Sequence, residues 1–160
     1  MMKQTAHAVA GHGRDRDRGS TWSLHVLGAG SASALELGAS SAVLERDGQP
    51  VLLIDCGPGT LEQYQRRYGA LPRAVFITHA HMDHVAGLER LFCAAWFDAD
   101  RRGSTRLFVH ANLVPILQAR VADYPNAIAE GGANFWEAFS LVALSRGFWL
   151  DDWWFDVFAT

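Results

Sequence analysis

Three histidines and an aspartate occur within six residues, directly after a short apolar segment. This pattern constrains the fold more than any other. The cluster spans residues 79–84, with the sequence HAHMDH, and follows residues 74–77, AVFI. A short apolar run of this kind predicts a buried strand. The residues from Val85 to Trp96 repeat apolar side chains at helical spacing. The cluster is therefore expected on a strand-to-helix loop of an α/β protein, where such proteins commonly place functional residues.

The spacing within the cluster indicates a metal site with two ligand pairs. In an extended segment, residues two apart point the same way, so His79 and His81 can reach one point in space. Asp83 and His84 follow the turn into the helix and point to a neighbouring place. Imidazole nitrogens with a carboxylate suit zinc, and also iron or manganese. Two adjacent pairs favour two ions, roughly 3.5–4 Å apart in known two-metal sites. The alternative, a solvated loop that happens to hold histidines, does not explain the flanking strand and helix.

Further strands and helices are predicted on both sides of the cluster. A strand at 24–27 leads into Gly28-Ala29-Gly30, and the third glycine of a dinucleotide-binding fingerprint is absent. A glycine-rich turn between sheet strands is therefore the better interpretation. Other predicted strands lie at 42–45 and 51–54, joined by a turn at Asp47-Gly48, and at 106–110 and 153–158. Helices are predicted at 60–68 and from Leu113, with Leu113, Ile116, Leu117 and Val121 on one face.

Two single residues stand where a strand ends. Asp55 ends the strand at 51–54, and alone it could be either a site carboxylate or a structural one. His110 ends the strand at 106–110, and a structural role is the better interpretation because nothing nearby completes a ligand set. Thr60 and Gln63 have the spacing of a capping box, which predicts that the helix begins there.

The motifs together resemble a known family. HAHMDH after an apolar strand resembles the signature of the metallo-β-lactamase superfamily of hydrolases. The series LGAGSA at 27–32, DCGPGT at 55–60 and then HAHMDH is similar to the ribonuclease Z-like branch. Met82 replaces the glycine common in ribonuclease Z, and the sequence looks more like small cyclic-phosphate phosphodiesterases of that branch. The resemblance implies an αββα sandwich, of which this chain covers the N-terminal half.

The resemblance also implies site roles and a function. His79 and His81 would bind one metal ion, Asp83 and His84 the other, and Asp55 would support the metal loop. Asp83 would also take part in catalysis. The implied cofactors are two divalent ions, zinc before manganese or iron, and the implied activity is phosphodiester hydrolysis by a metal-bound hydroxide. A thioesterase or lactonase of the same superfamily is an alternative. So is a catalytically inactive fragment that binds metal or a partner, because the family's later ligands do not occur in these residues.

Composition limits the remaining possibilities. The 160 residues suffice for one domain, expected at 21–160 after a flexible leader at 1–20. A net charge of −3 gives no general preference for nucleic acid, although a nucleic acid substrate stays open. Cys56 and Cys93 form no metal-type pair and are expected to be buried and reduced, in a cytoplasmic protein. No run approaches the ~18 apolar residues of a membrane span. An uncovered apolar sheet face would favour association, including a homodimer.

Overall fold

The computed structural model describes residues 4–5, 19–121 and 135–159, and these form a six-stranded sheet with helices on one face and a hairpin on the other. The predicted leader at 1–20 lies outside the described residues, apart from 4–5 and 19–20. The strands are β1 (Gln4–Thr5), β2 (Trp22–Gly28), β3 (Ser41–Arg46), β4 (Gln49–Ile54), β5 (Ala74–Ile77), β6 (Arg106–His110), β7 (Ser140–Leu144), β8 (Gly147–Leu150), β9 (Trp153–Asp156) and β10 (Phe158–Ala159). The sheet order is β2-β3-β4-β5-β6-β7.

The sheet is antiparallel at one side and parallel at the other. β2, β3 and β4 pair as antiparallel neighbours, and β4, β5, β6 and β7 are parallel. The β3–β4 turn is tight because Asp47 and Gly48 both have positive φ, 52° and 74°, as a two-residue hairpin requires. Two short pairs, β1 with β10 and β8 with β9, lie outside the main sheet. The parallel order brings the carboxyl ends of β4, β5 and β6 to the same edge, and the histidine cluster begins there.

The helices follow the parallel strands and cover one face of the sheet. They are α1 (Thr60–Tyr68), α2 (Met82–Val85), α3 (Leu88–Trp96), α4 (Val114–Val121) and α5 (Phe135–Ala138), with 3-10 turns at Leu35–Leu37 and Ala111–Leu113. The core beneath them is apolar: Val75 and Ile77 of β5 pack with residues such as Leu91 and Leu117. Each fully buried side chain of this size stabilises the fold by roughly 1.5–3 kcal/mol.

The β8–β9 hairpin covers part of the opposite face. Phe148 of β8 stacks on Phe76 and Phe108 of the sheet, with ring centroids 5.5 Å and 4.2 Å away. This second apolar cluster ends before β2, where Leu24 and Val26 are 59% and 56% exposed. A helix layer, a sheet and the beginning of a second β layer are what the N-terminal part of the predicted αββα sandwich requires, and the α/β fold class is confirmed.

Several local predictions were wrong for physical reasons. The helix expected over 85–96 is interrupted: α2 ends at Val85 and α3 begins at Leu88, because the Gly87 N–H donates to the Cys56 carbonyl in the turn after β4 instead of to a carbonyl of α2. The capping box does not form, since Gly59 is the N-cap and the hydroxyl of Thr60 donates to the hydroxyl of Ser41. Ile116 is 48% exposed instead of buried.

Two further predictions were wrong in part. The final strand ends at Asp156 and resumes as β10, so residues 153–158 are not one continuous strand. Cys56 is buried as expected, but Cys93 is exposed on α3. No helix in the described ranges is long and apolar enough to cross a membrane.

Candidate metal centre

Asp55 connects two strands to the histidine cluster. It follows β4 directly, has a left-handed φ of 60° and is 5% exposed. Its Oδ1 accepts hydrogen bonds from the Thr78 N–H, at 2.8 Å, and from the Thr78 hydroxyl, at 3.0 Å. Its Oδ2 lies 2.7 Å from the Thr78 hydroxyl and 2.7 Å from Nδ1 of His84. One buried carboxylate therefore fixes the start of the loop and one of its histidine rings.

The backbone of the turn at 55–57 holds the other end of the same loop. We call residues 55–57 the support turn and residues 78–87 the histidine loop. The Cys56 N–H donates to the His84 carbonyl, and the Gly87 N–H donates to the Cys56 carbonyl, both at 2.8 Å. The two segments lie so close that a Cβ on Gly57 would be 2.0 Å from the Asp83 carbonyl oxygen. A glycine is required there because a side chain would push the histidine loop away.

His79 and His81 face each other across a short distance. Nε2 of His79 lies 3.1 Å from Nδ1 of His81. Two ring nitrogens at this separation repel unless a proton or a metal ion lies between them. Two nitrogens bound tetrahedrally to one zinc ion, each at ~2.0–2.1 Å, would be about 3.3 Å apart. The observed pair fits that requirement.

Asp83 and His84 form a second pair beside the first. Oδ2 of Asp83 lies 3.6 Å from Nε2 of His84, and their side chains are 17% and 16% exposed. The rings of His79 and His84 have centroids 4.0 Å apart, so the two pairs adjoin. A carboxylate oxygen and an imidazole nitrogen at this distance also suit a shared divalent cation. The donor set thus fits metal ions in both pairs.

Ligand-type atoms of Asp55, His79 and His84 all lie within 4.8 Å of one another. This grouping does not make Asp55 a ligand in preference to His81 or Asp83. Both Asp55 oxygens already accept hydrogen bonds from Thr78 or lie against Nδ1 of His84. We therefore interpret Asp55 as the residue that holds the ring of His84, with Nε2 of that ring left for an ion.

The electrostatic environment differs between two of the histidines. Burial lowers the pKa of His79, and the nearby His84 ring lowers it further. The hydrogen bond with Asp55 raises the pKa of His84. Both effects on His79 favour its neutral form, the state in which imidazole binds metals.

His110 contacts the backbone of the turn that follows it, in line with the structural role favoured from the sequence. Its Nδ1 accepts a hydrogen bond from the backbone N–H of Asn112, so it caps the turn that follows β6.

Nothing in the pattern of the sequence singled out Thr78, although its hydroxyl contacts Asp55 and, at 2.9 Å, Nδ1 of His79. The only available signal was a hydroxyl residue between the apolar strand and the first histidine.

Comparison with known proteins identifies the family. The family model described as anti-Pycsar protein Apyc1 matches residues 22–157. The chain belongs to this family. An Apyc1 protein of Saccharibacillus brassicae is 34% identical over 126 residues, which are 78% of this chain and 50% of that protein. A ribonuclease Z of Salinibacter ruber is 44% identical over 75 residues, or 42% of this chain and 22% of that enzyme.

A solved structure shows the same fold. The metallo-β-lactamase fold protein YhfI from Bacillus subtilis superimposes with a TM-score of 0.58 at 19% identity, covering 78% of this chain and 46% of that one. This Apyc1-family chain thus has the metallo-β-lactamase fold, and the predicted resemblance to that superfamily and to its ribonuclease Z-like branch is confirmed. Its ribonuclease Z relatives are hydrolytic enzymes. The chain spans half or less of the length of the relatives it matches.

Proposed function

We propose that this chain provides metal ligands of a phosphodiesterase that acts on cyclic phosphodiesters. The observation that carries the proposal is the presence of two adjoining donor pairs, 3.1 Å and 3.6 Å wide, on one loop. The Apyc1 family match and the ribonuclease Z relatives favour phosphodiester chemistry over the thioesterase and lactonase alternatives.

Each residue of the centre has a distinct part in this proposal. His79 and His81 would hold one divalent ion, and Asp83 and His84 a second, with zinc favoured by the nitrogen-rich donor set and manganese or iron as alternatives. Ions bound there would lower the pKa of water towards ~7 and polarise a phosphoryl oxygen. Asp83 is partly exposed, so its carboxylate can orient a nucleophilic water or accept its proton.

The support turn explains how the ligands would be kept in place. Asp55 orients the His84 ring by accepting a hydrogen bond from Nδ1, which leaves Nε2 facing Asp83. The ligating atoms of all four residues are side-chain atoms on a loop fixed to the sheet at both ends. This arrangement reduces the entropy that metal or substrate binding must overcome.

The metal assignment is tested by elemental analysis of the purified 160-residue chain. We expect His81→Ala to lose the ion shared with His79, because one of its two donors is removed. His110→Ala is the matched control, since that ring caps a turn instead, and it should keep the metal content of the unmodified chain. Full metal occupancy in His81→Ala would overturn the ligand assignment.

The substrate class is tested by hydrolysis assays with added zinc or manganese. The panel contains 3′,5′-cyclic mononucleotides, a linear phosphodiester, a precursor transfer RNA with a 3′ extension, a thioester and a lactone. We expect turnover of cyclic mononucleotides that is abolished in His81→Ala. Preferred cleavage of the RNA, the thioester or the lactone would contradict the cyclic phosphodiester assignment. Metal binding without any turnover would favour the binding-domain alternative.

A further inference from the structure

We propose that Thr78 is a positioning residue that sets the tautomer of His79 and so makes its Nε2 available as a ligand. The proposal rests on the metal centre proposed above, but it concerns hydrogen bonds within the chain itself. Thr78 lies between β5 and the first histidine and is 9% exposed. Its hydroxyl lies within hydrogen-bond distance of three atoms: both oxygens of Asp55 and Nδ1 of His79.

The number of protons fixes the direction of these hydrogen bonds. A hydroxyl has one proton to donate, and an ionised carboxylate can only accept. The Thr78 proton must therefore point to Asp55, whose oxygens lie 2.7 Å and 3.0 Å away. The reverse orientation would leave the hydroxyl lone pairs against both carboxylate oxygens.

The direction of the Thr78 hydrogen bond determines the tautomer of His79. With its proton on Asp55, the Thr78 oxygen presents a lone pair to Nδ1 of His79 at 2.9 Å. That contact is favourable only if Nδ1 carries the proton and donates it. The other ring nitrogen, Nε2, is then free of a proton in the neutral ring, and it is the atom that faces His81.

Asp55 thereby controls two histidines by two routes. It holds His84 directly through Nδ1, and it holds His79 through the hydroxyl of Thr78. Nδ1 of His84 donates to Asp55 and Nδ1 of His79 donates to the Thr78 hydroxyl oxygen, and in both rings Nε2 is left for the candidate metal centre. A single buried carboxylate thus fixes one ring in each ligand pair, and Thr78 is the link to the first pair.

The direct test is a measurement of tautomers by nuclear magnetic resonance. Long-range ¹H–¹⁵N correlation spectra of the metal-free chain, at a pH where His79 is neutral, should show its proton on Nδ1. In Thr78→Val, which keeps the shape but removes the hydroxyl, His79 should lose this preference. Thr78→Ser should keep it. If His79 of the unmodified chain carries its proton on Nε2, the proposal is wrong, whatever happens to metal binding.

The second readout is metal affinity, measured by competition of Zn²⁺ with a chromophoric chelator. We expect Thr78→Val to bind about 10-fold more weakly, within the range of ~10–100-fold for residues that orient ligands, and Thr78→Ser to bind within about 2-fold of the unmodified chain. Thr105→Val is the matched control. Thr105 is also buried, and its hydroxyl donates to the Pro72 carbonyl at the amino ends of β5 and β6, whereas the histidine loop follows the carboxyl end of β5.

The control separates positioning from a loss of stability. Thr105→Val should lower the free energy of unfolding while leaving metal affinity and the His79 tautomer unchanged. Equal losses of affinity in the Thr78→Val and Thr105→Val variants would show that Thr78 acts only through stability. If Thr78→Val does not fold, Thr78→Ala compared with Thr78→Ser isolates the same hydroxyl. A failure of the proposed activity with the predicted tautomers present would contradict the function and not the role of Thr78.

Discussion

Replacing Gly57 with alanine tests whether the support turn and the histidine loop are held in direct contact. A Cβ at Gly57 would lie 2.0 Å from the Asp83 carbonyl oxygen and 2.5 Å from the Cβ of Ala39. Real Cβ contacts are essentially never shorter than 3.0 Å. The nearest atom belongs to the backbone and cannot rotate away. The two segments must therefore separate by about 1 Å to accept a methyl group.

The cost follows from what holds the two segments together. The hydrogen bonds from Cys56 N–H to His84 and from Gly87 N–H to Cys56 are both 2.8 Å long. A separation of about 1 Å would stretch them beyond the range of hydrogen bonding. Each bond contributes roughly 0.5–1.5 kcal/mol, and overpacking costs about 1–3 kcal/mol. Together these effects should lower the free energy of unfolding by roughly 3 kcal/mol.

Urea and thermal unfolding followed by circular dichroism measure this loss. For a chain of this size, 3 kcal/mol corresponds to a fall in Tm of roughly 6–12 °C. Gly48→Ala is the control: Gly48 has a φ of 74° with open space around it, so alanine there suffers only the left-handed conformation, about 1 kcal/mol. If Gly57→Ala costs no more than Gly48→Ala, the close contact between the two segments does not exist in solution.

Three further results are expected. Native labelling with a thiol reagent should modify Cys93 and spare Cys56, since burial raises the pKa of the Cys56 thiol to about 12; mass spectrometry would reveal any contrary order. Hydrogen bonding, chiefly from Tyr68, lowers the pKa of Glu45 below 4.5, so its stabilisation is complete above pH 4.5 and disappears as the pH falls through the lowered pKa. Acid titration of stability should therefore be shallower in Glu45→Gln, and identical slopes would refute this. Because Leu24 is exposed on the edge strand, Leu24→Lys should reduce concentration-dependent association in light scattering, and a monomeric unmodified chain would contradict that expectation.

The sequence predicts β4, β5 and β6 of the parallel half well, because these strands are short apolar runs. It did not predict β7 at Ser140–Leu144, which is less buried. The strands at 74–77 and 106–110 were predicted with the bounds that the structure gives. The histidine loop was predicted at the end of a strand because an apolar segment directly precedes it, and its cluster of histidines and aspartate is typical of a metal site. The resemblance to the metallo-β-lactamase superfamily then supplied the layers that no local pattern contains.

The rest depended on contacts between segments distant in sequence. The break between α2 and α3 arises where Gly87 meets Cys56, a contact across 31 positions that the helical spacing of apolar residues does not reveal. Thr60 has the spacing of a capping residue, but the neighbouring strand offers its hydroxyl a better partner in Ser41. Thr78 needs the positions of Asp55 and His79 together before any role can be assigned.

The double attachment of the histidine loop has a thermodynamic consequence. Asp55 ties the loop at Thr78 and Cys56 ties it at Gly87, so a three-residue turn closes a ten-residue segment. Fixing the backbone of one residue costs roughly 1–2 kcal/mol in conformational entropy. Because the loop is already ordered by folding, metal binding does not include this cost. Under the proposed function, metal binding would then act as linkage, raising stability by about 2.7 kcal/mol at a hundred times Kd. The Tm of the chain would rise with the logarithm of metal concentration. Removing either attachment would lower the Tm of the metal-free chain and weaken its affinity for metal.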